Sequence, residues 1–210
     1  MTPPAEDLLP TRETLLNRLK NFDDHASWRE FFDTYWKLIF CVARKAGFSE
    51  AAAQDIVQET FVTVSKHMPE FRYDPAVGSF KSWLMQITRS RIVDALRRQT
   101  YKRGGEQLPR EEPLSTFVLE SYPGHAGLAL DAIWEEEWRT HLFDTAMDRV
   151  REHADARQFQ MFYLHVVKNM PALQVARRLS AKLPEVYFAK YKISARLKKE
   201  VRRLENDDSF

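Results

Sequence analysis

The sequence predicts an all-α protein of two small helical domains joined by a flexible acidic linker, and three observations lead to this fold class. Apolar residues recur at three- and four-residue spacing along most of the chain, and strand-like alternation is absent. Gly is scarce, at 6 of 210 residues, which disfavours turn-rich β folds. The stretch 104–130 is acidic and rich in Pro and Gly, which indicates the linker.

The first predicted domain spans residues 27–103 and follows an N-terminal extension, residues 1–26. Ser27 and Glu30 have the spacing of a capping box, and Gly47 ends the helix that they begin. The apolar side of this helix is predicted to hold Trp28, Phe31, Phe32, Tyr35, Ile39 and Val42. Ser49 is placed to cap a second helix over about 50–68, and a third runs from about 80 to 98 after a loop.

The second predicted domain spans residues 131–204, with an acidic tail at 205–210. Its helices are expected at about 131–153, 156–168, 171–179 and 184–204. A short turn joins the last two helices, and the final helix is rich in Lys and Arg. This pattern is typical of a DNA-binding helix-turn-helix. Major-groove contacts are expected from Glu185, Tyr187, Lys190 and Tyr191, and phosphate contacts from Arg177, Arg178, Lys182 and Arg196. A helical hairpin with a basic surface is the alternative.

The charge is small overall but unevenly distributed. Lys and Arg total 32 against 30 Asp and Glu, giving a net charge of +2. Residues 88–103 and 177–204 are nevertheless strongly basic. Such segments suggest a polyanionic partner, although solvated helix faces explain them equally well.

Several classes of protein and site are disfavoured. No apolar run approaches the roughly 20 residues of a membrane span, so no membrane insertion is expected. No signal peptide is recognised, and the expected location is cytoplasmic. Cys41 is the only cysteine, which excludes internal disulfides and thiolate zinc sites. No metal site, cofactor or catalytic constellation is predicted, so we expect the protein not to be an enzyme.

A family resemblance rests on several motifs in a fixed order. Residues 55–61, Asp-Ile-Val-Gln-Glu-Thr-Phe, resemble the polymerase-binding helix of bacterial sigma factors. Residues 71–74 and 80–84 follow at the family's spacing, and residues 87–98 are similar to its promoter-melting helix. The two-domain arrangement resembles the extracytoplasmic-function (ECF) subgroup, which keeps only the second and fourth conserved regions.

The resemblance implies a function and partners. A sigma factor binds core RNA polymerase through the β′ coiled coil and the β flap, recognises −35 and −10 promoter elements and assists melting. By position, Asp55, Gln58 and Glu59 are expected to bind polymerase, and the helix-turn-helix to bind the −35 element. An anti-sigma factor is left open as a further partner. A stand-alone helix-turn-helix regulator is the alternative function.

The −10 element is expected to contact aromatic and basic side chains of the first domain. Stacking by aromatics offsets part of the cost of flipping a base, and cations hold the strand. The expected contacts are Phe71, Tyr73, Phe80, Lys81, Trp83, Arg89, Arg91, Arg97 and Arg98. Core packing is an equal alternative for Phe80 and Trp83. Asp94 is expected to orient a nearby Arg. The chain has Ser180 where the family's turn usually has Gly.

Overall fold

The computed structural model describes residues 12–71, 79–102 and 126–209, and these are helical with no strand among them. The all-α prediction is therefore confirmed. The helices are α1 (Arg12–Leu19), α2 (His25–Lys45), α3 (Glu50–His67), α4 (Phe80–Lys102), α5 (Ala126–His153), α6 (Ala156–Phe162), α7 (Ala172–Arg178) and α8 (Leu183–Ser209). A 3₁₀ turn, Met68–Glu70, follows α3, and a π-helical segment, Tyr163–Val167, follows α6. None of the described helices is long and apolar enough to cross a bilayer.

Two compact units make up the structure. Unit 1 extends to Arg139 and includes the last residues from Asp207, and unit 2 is Thr140–Asn206. The predicted second domain began at 131, whereas unit 2 begins at Thr140. The difference arises because the first turns of α5 bury Trp134 and Trp138, and Trp138 stacks on Tyr35 of α2. Most of the predicted linker lies outside the described residues, but its end is helical because α5 begins at Ala126.

The core of unit 1 is aromatic where α2, α3 and α4 meet. Phe31 is fully buried, and its ring centroid lies 4.8 Å from Tyr35, 5.5 Å from Phe61 and 6.1 Å from Phe80. Tyr35 contacts Phe80 in turn, at 5.4 Å. These edge and tilted ring contacts add to the free energy gained by burying apolar area. They fix the positions of α3 and α4 relative to α2.

Local signals in the sequence set most helix ends. Gly47 has a φ of 95°, a left-handed backbone conformation that glycine adopts easily, and α2 ends just before it. At the start of α3, the Ser49 hydroxyl accepts the N–H of Ala52. The predicted cap at Ser27 was wrong. Asp24 caps α2 instead, because its carboxylate accepts both the N–H and the hydroxyl of Ser27, at 3.0 and 2.7 Å.

Two further predictions differ from the structure, and one helix was not predicted. The extension 1–26 contains α1, whose Leu15, Leu16 and Leu19 are buried. Phe32 is 42% exposed rather than on the buried side of α2. The acidic tail was placed from 205, but α8 continues to Ser209 because its helical pattern is not interrupted by Pro or Gly.

Unit 2 packs its helices on small and branched side chains. Met161 of α6, Val175 and Ala176 of α7, and Val186 and Ala189 of α8 form one buried cluster. The turn between α7 and α8 contains Ser180 with a φ of 48°, which is unusual for a residue other than Gly. The close approach of the two helices therefore depends on a strained position.

We predict that Ser180→Gly stabilises the protein. A left-handed φ costs an L residue about 1–2 kcal/mol, and the extra unfolded-state entropy of Gly returns part of this, leaving a gain of about 0.5–1 kcal/mol. Urea unfolding of the full chain, followed by circular dichroism, measures the change. Ser194→Gly inside α8 is the matched control and should lower stability by about 0.5 kcal/mol. Equal losses in both variants would contradict the prediction.

Candidate protein and nucleic-acid interfaces

One side of α3 presents exposed side chains to solvent. Asp55 and Gln58 are exposed, and they share this side with Val62, which is 52% exposed. Residues at positions i, i+3 and i+7 lie along one helical face. The sequence analysis missed Val62, although its spacing from Asp55 and Gln58 carried the signal. The face therefore combines polar groups with one apolar side chain, a composition suited to a protein partner.

Glu59 lies at the border of this face and is paired. Its two carboxylate oxygens accept from the two terminal nitrogens of Arg98, at 2.7 and 2.8 Å. Hydrogen bonding to Arg98 lowers the pKa of Glu59, and the same bonds raise the pKa of Arg98. The structure thus joins a predicted polymerase contact on α3 to a predicted DNA contact on α4.

The other cations of the predicted −10 site also have acidic neighbours and fall into two groups. Lys81 and Arg89 pair with Glu135 and Asp131 of α5, at 2.7 and 3.2 Å. Arg91 and Arg97 lie 3.1 and 3.8 Å from Asp94. The prediction that Asp94 orients a nearby Arg is confirmed. The acids of α5 were not predicted as partners, because nothing local links residues so far apart in sequence.

Three of these guanidinium groups retain unused donors. Within the described part of the chain, the Nε atoms of Arg89, Arg91 and Arg97 are buried and have no hydrogen-bond acceptor. Buried donors of this kind are rare in native proteins and call for an acceptor. The terminal guanidinium nitrogens of the same residues can bind phosphate in a directed, multidentate way.

The predicted aromatic contacts separate into core and partly exposed residues. Phe80 is 2% exposed and packs against Phe31 and Tyr35, so the core alternative holds for it and its ring offers no surface for a base. Phe71 and Trp83 are half-buried, and their rings lie 4.5 Å apart. Tyr73 lies outside the described residues.

The turn between α7 and α8 is held by two side chains. Arg157 donates to the carbonyl oxygens of Leu179 and Ser180, at 3.2 and 3.1 Å. Glu185 accepts the backbone N–H of Lys182, at 3.1 Å, as the acid of a capping box does. The sequence analysis gave Glu185 a base contact, whereas here its carboxylate fixes the start of α8.

The exposed side of α8 is aromatic and basic. Tyr187 and Tyr191 are 53% and 75% exposed, and Phe188, which the sequence analysis did not select, is 57% exposed. The predicted cations of this region are exposed as well: Arg177, Arg178, Lys182, Lys190 and Arg196. Arg196 also donates to the carbonyl of His153, at 3.4 Å. The predicted −35 residues are thus exposed along α7, the turn and the first half of α8.

Comparison with known proteins identifies the first of these regions. Residues 31–101 match the family model for sigma-70 region 2, and they include α3 and α4. The chain matches this family over about a third of its length. Its relatives include proteins named ECF RNA polymerase sigma factor SigK from Mycobacterium bovis BCG and from Mycobacterium tuberculosis H37Rv. Each is 32% identical over 89 residues, which cover 40% of this chain and 44% of the relative.

The match covers less than half the length of these curated relatives. The chain is thus similar to ECF sigma factors over part of its length, as the sequence resemblance predicted. The segment similar to region 2 contains both the exposed α3 face and the basic residues of α4. The assignment of individual contact residues stays a prediction, as does the helix-turn-helix role of α7 and α8.

The Glu59–Arg98 pair predicts a pH-dependent contribution to stability. Because the pKa of Glu59 is lowered, the stabilisation is complete above the ordinary value of 4.5 and is lost as pH falls through the lower folded-state pKa. A double-mutant cycle with Glu59→Gln and Arg98→Gln should give a coupling of about 0.5–1 kcal/mol at neutral pH, since the pair is partly exposed.

The same cycle repeated well below pH 4.5 should give no coupling. The exposed, single-contact pair Arg18–Glu30 is the control, and its coupling at neutral pH should be smaller. A coupling between Glu59 and Arg98 that is unchanged in acid would show that the pair does not stabilise through the charged carboxylate.

Proposed function

We propose that this chain is a dissociable initiation subunit that binds core RNA polymerase, directs it to −35 and −10 promoter elements and assists duplex opening. The region 2 match over residues 31–101 is the observation that carries the proposal. This segment contains an exposed α3 face and basic residues with unused donors on α4, which are the two surfaces that such a subunit needs.

The α3 face is the proposed polymerase-binding surface. Asp55 and Gln58 are exposed and offer a carboxylate and an amide to a helical partner such as the β′ coiled coil. Val62 adds an apolar contact next to them. Glu59 contributes mainly by holding Arg98, because both of its oxygens are already engaged.

The −10 surface is proposed to combine stacking with phosphate binding. Phe71 and Trp83 are the accessible aromatics, and stacking returns about 1–3 kcal/mol per base towards the cost of unpairing. Arg89, Arg91 and Arg97 are partly exposed, and their guanidinium groups are proposed to bind the phosphates of the strand. Polymerase carries out the bond-forming chemistry, so the chain itself needs no catalytic residue.

The start of α8 is the proposed −35 surface. Tyr187, Lys190 and Tyr191 are exposed on a helix whose first turn is fixed by the Glu185 carboxylate. Arg178, Lys182 and Arg196 are placed to neutralise phosphates, which sets the position of the helix without specifying sequence. The buried cluster shared by α6, α7 and α8 holds the two helices of the proposed helix-turn-helix together.

We expect the double variant Asp55→Ala, Gln58→Ala to bind core polymerase at least tenfold more weakly, because two exposed contacts are removed without disturbing the buried side of α3. Binding is measured with matched bacterial core polymerase, and run-off transcription from promoter fragments of the same genome reports initiation. Asp33→Asn on α2 is the control for an exposed charge and should leave both unchanged.

Two results of this experiment would count against the proposal. Unchanged core binding by the double variant would remove the α3 face from the interface. Absence of binding by the unaltered chain, together with specific duplex binding in the absence of polymerase, would favour a stand-alone regulator.

For the −35 surface, we expect Arg178→Ala to weaken holoenzyme binding to all promoters alike. The slope of log affinity against log salt should fall by about 0.9, the value for one duplex phosphate contact. Lys199→Ala, an exposed cation further along α8, is the control and should leave the slope unchanged. A change of preferred sequence without a change of slope would instead assign Arg178 to a base edge.

A further inference from the structure

An acidic segment of α5 lies on the cations of the proposed −10 surface. Asp131 accepts from Arg89 at 3.2 Å, and a carboxylate oxygen of Glu135 lies 2.7 Å from the Lys81 ammonium. Both cations have only about a quarter of their side chain exposed, at 24% each. Their charges are thus neutralised within unit 1 by carboxylates of the same chain.

Two tryptophans anchor this segment. Trp134 and Trp138 are 1% and 2% exposed, with ring centroids 5.7 Å apart. Trp138 also stacks on Tyr35 at 6.3 Å, and the Lys81 ammonium lies 5.9 Å from its ring centroid. Asp131, Trp134, Glu135 and Trp138 have the i, i+3, i+4, i+7 spacing of one helical face. This face presents acids and aromatics together to unit 1.

Two further acids of this segment, Glu136 and Glu137, form ion pairs with α2. The Lys45 ammonium lies 2.7 Å from Glu137 and 3.0 Å from Glu136. Glu137 is only 8% exposed. Hydrogen bonds to these two carboxylates raise the pKa of Lys45, so the contact keeps its charge over the whole range of ordinary pH. The segment is therefore tied to α2 as well as to α4.

We propose that the Asp131 and Glu135 carboxylates of this segment are internal competitors of promoter DNA, which hold two cations of the −10 surface in the free chain and are displaced from them in the initiation complex. The proposal rests on the proposed function, because it requires Lys81 and Arg89 to contact the promoter strand. A carboxylate and a phosphate cannot occupy the same cation at once. Apparent DNA affinity is then reduced by the fraction of molecules in which the surface is covered.

The segment resembles its competitor in chemistry. It offers negative charge to the cations, as a nucleic acid strand offers phosphates, while its two buried tryptophans pack on each other and on Tyr35. Because the two carboxylates belong to the same chain and the tryptophans hold them in place, they compete at a high effective concentration. Partly exposed ion pairs of this kind are individually weak, so DNA held by polymerase can replace them.

The test compares three double variants of the full chain for binding of a labelled 12-nucleotide oligothymidylate by fluorescence anisotropy. The release variant, Asp131→Asn with Glu135→Gln, keeps both tryptophans. The control variant, Asp33→Asn with Glu50→Gln, makes the same change of charge at exposed positions outside the contact. The site variant, Lys81→Ala with Arg89→Ala, removes the cations themselves.

The release variant is expected to bind at least fivefold more tightly than the control variant. Its salt slope should be steeper by up to about 1.4, the value for two added single-strand phosphate contacts at about 0.7 each. Equal affinity and slope in the release and control variants would overturn the proposal. Circular dichroism confirms that each variant keeps its helical content.

Chemical cross-linking detects the contact between Lys81 and Glu135 independently of DNA affinity. A carbodiimide condenses a carboxylate with a neighbouring amine, with loss of water, so the 2.7 Å approach of Lys81 and Glu135 should give an amide that peptide mass spectrometry detects in the free chain. The yield should fall severalfold in the holoenzyme bound to promoter DNA. An undiminished yield in a transcribing complex would overturn displacement.

The site variant distinguishes failure of the internal competitor from failure of the proposed −10 surface. If it weakens promoter binding by holoenzyme while the release variant behaves as the control does, the −10 surface stands and only the internal competitor is overturned. If the site variant leaves promoter binding unchanged, Lys81 and Arg89 are not DNA contacts, and the competitor is overturned together with that part of the proposed function.

Discussion

Phe31 is the side chain on which the arrangement of unit 1 depends. It is fully buried, and its ring meets residues of α2, α3 and α4, so three helices share one contact point. Replacing such a ring by Ala in a packed core costs about 3–5 kcal/mol. The exposed α3 face and the basic side of α4 keep their relative positions only because this core is intact. The positions of the two proposed surfaces thus depend on the aromatic packing of this core.

A second constraint on unit 1 is electrostatic, because α4 places several cations close together among packed helices. Repulsion among like charges is relieved by acids from three sources: Asp94 on α4, Glu59 on α3, and the segment Asp131–Trp138 on α5. Each source neutralises a different part of the basic surface. The helix can therefore hold its cations close together in the free chain.

The sequence was sufficient for features that depend on neighbouring residues. Gly47 and Ser49 correctly marked the boundary between α2 and α3, because left-handed φ and N-capping are local properties. The buried positions of α3 followed from helical spacing, as Val57 and Val64 illustrate. Asp24 was missed because two residues near the helix start can both cap, and the choice depends on which carboxylate or hydroxyl reaches the N–H groups.

Contacts between residues far apart in sequence could not be predicted from local sequence patterns. Nothing in the local pattern indicates that Arg98 reaches Glu59 or that Lys81 reaches Glu135, because those approaches depend on how whole helices pack. The same reason explains Phe80, which local spacing left equally suited to core and to base stacking. For the polymerase and DNA contacts, motif order predicted the residues, and the structure describes their exposure and neighbours.

The carboxylate of Glu185 has a consequence for how α8 would distinguish promoters. Because that acid is engaged with the backbone of Lys182, the first turn has one polar group fewer for base edges, and the exposed side is dominated by Tyr187, Phe188 and Tyr191. Aromatic carbon contacts the thymine methyl, which is the main apolar group in the major groove. In the proposed −35 role, such a helix would read methyl groups and groove shape in addition to the phosphates bound by its cations.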